Sequence, residues 1–147
     1  MAGPQLLEHV TPEFMNERAE GSFIGFMNVV YDAIMLGRIE THMDVIPNHL
    51  APNGYLHAAA IIALADSSCG CGSISHLPEG ATNFTTIELK SNHLGTATEG
   101  TLECIATVAH AGRTTQVWDA VVTSQESGKI IALFRCTQKH ELEHVTM

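Results

Sequence analysis

Basic residues are scarce in this chain. Seven Lys and Arg stand against 16 Asp and Glu across 147 residues, a formal net charge of −9 at pH 7. A surface of that sign repels phosphate backbones, which argues against nucleic acid as a partner. Charge of either sign is sparse, at 16%. With so little polar surface to solvate, part of the exterior is expected to be covered by another subunit. Long apolar runs are missing too. The longest, residues 56–65 and broken only by His57, stops at Asp66 and is too short to span a membrane. Residues 1–10 carry no basic stretch followed by an apolar one, so no secretory leader is expected and the cytoplasm is the expected compartment. The four cysteines, Cys69, Cys71, Cys104 and Cys136, lack paired zinc-type spacing. The close pair Cys69 and Cys71 reads as small core residues near a helix end. No metal and no cofactor are expected. Residues 1–147 fit one domain, large enough to bury a core without a disulfide or metal.

What is present is ordered punctuation between apolar segments. Thr11-Pro12-Glu13 combines an N-cap, a proline at the first helical position and an acid in the first turn. This predicts a short helix to about Ala19, inside an N-terminal helical segment spanning 1–20. Residues 23–30 are apolar and of ambiguous state. Residues 33–45 alternate as one strand. Turn residues crowd 47–54. Residues 55–71 are Ala-rich and apolar all round, which predicts a helix buried on every side and ended by Gly70, Gly72 and Pro78. Four strands follow, at 83–93, 101–110, 114–123 and 129–138, spaced as antiparallel hairpins. Residues 139–147 read as a polar tail. A fully apolar helix beside such strands is buried only if the sheet curls around it.

Asp66 is the anomaly in that helix. An ionised carboxylate at the end of such an apolar run must be paired, protonated or placed at a cleft. The bland alternative is an acid past the buried portion, bonded to Ser67, Ser68 or the backbone. His57 marks the other end of the helix, where free backbone N–H groups and the positive dipole end suit a polarised carbonyl. Nine residues, about two and a half turns, separate the two, so one substrate meets both ends only across a groove.

The segment Pro52-Asn53-Gly54-Tyr55-Leu56-His57-Ala58-Ala59, followed by Leu64-Ala65-Asp66, resembles the Asn-Pro-x-Gly-x-x-His-Gly-Gly … Leu-Ala-Asp/Glu signature of hotdog-fold thioesterases. The PaaI type, which includes one branch of the 4-hydroxybenzoyl-CoA thioesterases, is the most similar group. The stretch from Thr86 to Leu94 resembles that family's second strand. Gly112-Arg113-Thr114-Thr115-Gln116-Val117-Trp118 and Gly128-Lys129-Ile130-Ile131-Ala132 resemble its last hairpin. The resemblance covers roughly residues 25–138.

It implies an α+β hotdog fold, an antiparallel sheet wrapped around one long central helix. Subunits would pair as a homodimer or a dimer of dimers, with active sites at the interface. The implied activity is hydrolysis of an acyl-CoA thioester to free acid and CoA. Asp66 matches the catalytic acid, nucleophile or general base for water. Ala58 matches the residue whose backbone N–H polarises the thioester carbonyl, and His57 the one that shapes that turn. Thr86 matches a Ser/Thr position that orients water from the partner subunit. Asn53, Gly54, Lys90 and Arg113 fall at substrate-binding positions, Arg113 where a basic residue meets the nucleotide or phosphates of CoA. Three positions depart from the family: Ala58-Ala59 replace Gly-Gly, Ala51 stands where Asn or Gln is usual, and Gly70 where some relatives carry Ser or Thr.

Two other functions fit the same fold. A hydratase or dehydratase of acyl thioesters would pair His49 with Asp66, although the His-Phe-Pro … Pro-Gly-Val-Leu-x-x-Glu pattern of acyl-carrier dehydratases is missing. A non-catalytic acyl-CoA binder is consistent with the Ala substitutions. His140-Glu141-Leu142-Glu143-His144 formally matches a zinc-protease motif, but it follows a strand near the chain end, where that chemistry has no helix to sit on. Ser67-Ser68 lacks the elbow glycine of a serine hydrolase.

Overall fold

The computed structural model describes residues 3–143. Helix α1 (Pro12–Ala19) starts as the sequence predicts, with Thr11 Oγ1 accepting from the Phe14 N–H at 3.1 Å. It is the helical part of the N-terminal segment, since residues 3–11 are not helical. The ambiguous stretch divides into a one-turn helix α2 (Phe23–Phe26) and the start of strand β1 (Val29–Met35). The single strand expected over 33–45 is a hairpin of β1 and β2 (Arg38–Asp44). Gly37 reverses the chain at φ 72°, a conformation in which a side chain would be strained, and alternation alone does not reveal that break.

After a 3₁₀ turn at Pro47–His49 comes α3 (Ala58–Ser75), which begins three residues later than expected and passes through both glycines meant to end it. Helical glycine costs about 0.5–1 kcal/mol against alanine. Here packing requires it: a Cβ on Gly72 would lie 2.6 Å from the fully buried Trp118 ring. The real end is built from side chains. Ser75 Oγ donates to Cys71 O at 2.7 Å, and Gln116 Nε2 donates to Ser73 O and His76 O.

Strands β3 (Ala81–His93), β4 (Thr101–Ala111), β5 (Thr115–Ser124) and β6 (Ile130–Leu142) complete a six-stranded antiparallel sheet in the order β1-β2-β4-β5-β6-β3. The consecutive strands β3 and β4 do not form the expected hairpin. β3 crosses to the far edge beside β6, and β4 pairs with β2. Residues 139–142 are strand rather than polar tail: Lys139 lies opposite Thr85 and Thr115, and His140 is buried. The sheet wraps α3, whose Ala60, Ile61, Leu64, Ala65 and Cys69 enter one core cluster with Ile39, Met43, Leu102, Ala106, Trp118 and Val122. Helix α3 is long and apolar enough to cross a membrane, but 67% of it is buried against this sheet.

Candidate active site

Burial of α3 is not complete. Ala59, Ile62, Asp66, Gly70 and Ile74, spaced three or four residues apart, form one stripe that the sheet leaves open. The N-terminal segment leans over it. Met15 and Ala19 of α1, Phe23 and Ile24 of α2, Tyr31 of β1 and Phe84 of β3 close a mostly apolar groove of about 400 Å³. That volume falls within the range of small-molecule sites.

Among the described residues, Asp66 is the only carboxylate lining this groove. Its Oδ1 is buried and has no hydrogen-bond partner among the described residues. Burial removes the carboxylate from water and raises its pKa above the ordinary value of 3.8. The bland reading, an acid tied to Ser67, Ser68 or the backbone, is not what is found. Ser68 Oγ instead donates to Leu64 O and pairs with Thr41 Oγ1, both at 2.7 Å. Tyr31 shares the groove wall, its phenol pushed up by burial and donating a long 3.5 Å bond to Ser67 O.

The N-terminus of α3 is assembled by the preceding loop. Asn53 Oδ1 accepts from the Tyr55 N–H, and Gly54 turns at φ 87°. His57 is the N-cap, its Nδ1 accepting from the Ala59 N–H at 2.9 Å. That bond requires a lone pair on Nδ1, hence a neutral ring with its proton on Nε2. The Ala58 N–H is exposed and has no acceptor among the described residues. Eight residues of helix put it roughly 12 Å along the axis from Asp66.

Not every expected site residue meets Asp66 within one chain. Thr86 and Lys90 are exposed on the edge strand β3, and Arg113 is exposed in the β4–β5 turn. None of these lines the groove, and neither do Asn53, Gly54, His57 and Ala58. His49 is taken up by structure: Nδ1 accepts from the Ile46 N–H and Nε2 donates to Met27 O at 2.7 Å. Both ring nitrogens are engaged, which removes it as the base of a dehydratase. His140 is similarly engaged, donating from Nδ1 to Arg113 O and accepting at Nε2 from Gln116. His144, the other histidine of the zinc-like motif, lies outside the described residues, among which no cluster suited to a metal occurs. Arg18, Tyr31 and Phe84 line the groove without any signal in the sequence, because they converge from segments separated by up to 66 positions.

Comparison with known proteins agrees with this architecture. A family model described as the Thioesterase superfamily matches residues 53–131, more than half of the chain. The 1,4-dihydroxy-2-naphthoyl-CoA hydrolase of Escherichia coli (strain K12) is 29% identical over 130 residues, covering 87% of this chain and 93% of that protein. A thioesterase structure from Haemophilus influenzae superposes with a TM-score of 0.85 at 26% identity, covering 99% of this chain and all of the other. A hypothetical thioesterase from Streptococcus pneumoniae, solved with coenzyme A, shares the fold at 22% identity and a TM-score of 0.71, covering 83% of this chain and 97% of the other. With a sheet wrapped on one central helix, an acid on that helix and these relatives, the chain belongs to the Thioesterase superfamily, as a thioester hydrolase of the hotdog fold.

Proposed function

We propose that this chain, as a single domain, hydrolyses an acyl-CoA to a free acid and CoA, with Asp66 as nucleophile or as general base for water. The observation that carries the reading is the unpartnered Asp66 Oδ1 in an apolar groove. A stranded carboxylate is destabilising unless a reactant uses it. The thioester carbonyl accepts from the Ala58 N–H, held in place by the neutral His57 cap. A donor roughly 12 Å from Asp66 on its own helix is too far to serve the same carbonyl, so the donor is supplied by a second copy. Edge strand β3, thirteen residues long with Ile87 and Leu89 exposed, offers the pairing surface. A homodimer, or a dimer of dimers, follows from this reading, with Thr86 orienting water across the interface. Asn53 and Gly54 shape the entry turn, and Lys90 and Arg113 meet the CoA phosphates.

The compartment fitting four free buried cysteines is the cytoplasm. Neither nucleic acid nor a membrane is a partner in this reading. The groove's aromatic lining and the name of the E. coli relative favour an aryl-CoA. The test is release of free thiol across a panel of aryl-, short- and long-chain acyl-CoAs, with an aryl-CoA expected to turn over fastest. Tight binding of acyl-CoAs without thiol release from any of them would replace the hydrolase by a binding protein.

A further inference from the structure

Three buried side-chain atoms lack partners among the described residues: Asp66 Oδ1, Ser91 Oγ and Gln138 Nε2. The first belongs to the proposed reaction, and Ser91 lies opposite Phe134, toward the other end of β3. Gln138, on β6, is fully buried at 0% exposure. Its Oε1 accepts from Ser73 Oγ of α3, and Nε2 is the end of the amide left without a partner. An amide N–H in that position is costly to leave unpaired.

Its surroundings lead to the groove. Gln138 Nε2 lies 3.9 Å from the point where a Cβ of Gly70 would stand, and Phe84 Cζ lies 3.1 Å from the same point. Gly70 and Phe84 both line the groove. The amide and the Phe84 ring therefore both lie against Gly70 at the groove wall, and Gly70 permits that close approach because it has no side chain. Register places Thr86 opposite Gln138 and Phe84 opposite His140, so these side chains share the sheet face turned toward α3. Two register irregularities, at 81/83 and 86/88, bracket Phe84. Bulges re-aim side chains, and the two shifts set the aim of the Phe84 ring separately from the rest of β3.

We propose that Gln138 is a specificity-determining residue of the acyl groove. With the Phe84 ring turned aside, Nε2 donates a hydrogen bond to an oxygen carried by the acyl group, and acyl-CoAs oxygenated there are preferred to their unsubstituted counterparts. This rests on the reading of the groove as the acyl site beside Asp66. Gly70 is one helical turn beyond Asp66, so the oxygen stands roughly 6 Å beyond the thioester carbon. That is about the para position of a benzoyl ring or the end of a short straight chain.

The test compares kcat/KM for 4-hydroxybenzoyl-CoA against benzoyl-CoA, and for 5-hydroxypentanoyl-CoA against pentanoyl-CoA. It uses the full chain, the double variant Gln138→Met with Ser73→Ala, which strands no buried hydroxyl, and Phe84→Leu. The unaltered chain should favour a hydroxylated member by roughly 10- to 100-fold. The ratio should fall toward one in the double variant, through loss with the hydroxylated member, and should not fall in Phe84→Leu. Thioether analogues of the same pairs, titrated calorimetrically, separate this question from hydrolysis. A binding preference that disappears in the double variant supports Gln138 even without cleavage. Cleavage of both members at equal rates overturns the Gln138 assignment and leaves Asp66 standing, and failure to bind any analogue overturns both.

Discussion

Replacing Asp66 by Asn separates the chemistry of this carboxylate from its structural cost. The substitution preserves shape and removes the charge. A placed general base contributes typically 10²–10⁴-fold, so thiol release should fall by at least about that factor. Stability should move the other way. Burial raises the Asp66 pKa above 3.8 in the folded chain, so the folded state binds this proton more tightly than the unfolded one. The associated stability is fully present below the unfolded pKa and is lost as pH rises through the folded value. At neutral pH the ionised form is therefore a cost, and Oδ1 has no hydrogen bond to compensate for it. Asn removes the charge but leaves a polar group in the groove, so the gain is bounded at about 1 kcal/mol. For a chain of this length that corresponds to a Tm unchanged or raised by up to about 4 °C. Paired measurements of thiol release and thermal unfolding at pH 7.5 test both halves. The wild-type acid limb of kcat/KM should lie above the ordinary carboxylate range and be lost in the variant. Retained turnover, or a Tm lowered by several degrees, would show that the carboxylate is a structural group and refute the reasoning.

Three further outcomes follow from the packing. Gly72→Ala forces a methyl group into the Trp118 ring, which is fully buried and cannot retreat, and should cost about 1–3 kcal/mol in urea unfolding; an unchanged midpoint would mean that the helix shifts at no cost. His76 is held neutral, accepting from the Gly37 N–H at Nε2 and donating from Nδ1 to Gly72 O, and burial lowers its pKa below 6.5. Its stability contribution is complete above about pH 6.5 and is lost as pH falls from there toward the folded value, so the difference in unfolding midpoint between wild type and His76→Gln should narrow from pH 7.5 to pH 5. Burial pushes the Cys71 thiol up to about 12 and the Cys104 thiol up to about 11, so neither should react with a disulfide reagent at pH 8 until denaturant is added.

Much of this protein was legible without coordinates, where the determining physics is local. The Thr11-Pro12 start of α1, the Ala-rich α3 and the alternating strands β4, β5 and β6 depend on neighbours a few residues away. The 52–59 and 64–66 segments carry the family likeness for the same reason, since the entry turn and the acid lie on one continuous stretch. Local rules failed where a distant group overrode them. Gly70 and Gly72 look like helix stops until Phe84 and Trp118 are seen packed where their side chains would be. The strand order, with β3 carried past β4 to the far edge beside β6, depends on which edges meet around α3 and leaves no trace in periodicity. Asp66 itself shows both limits. The sequence by itself marked it as an acid in an apolar helix. Only the tertiary structure decided that it faces a groove closed by α1, α2 and β3, because an unmet hydrogen-bonding capacity is a property of everything that surrounds the group.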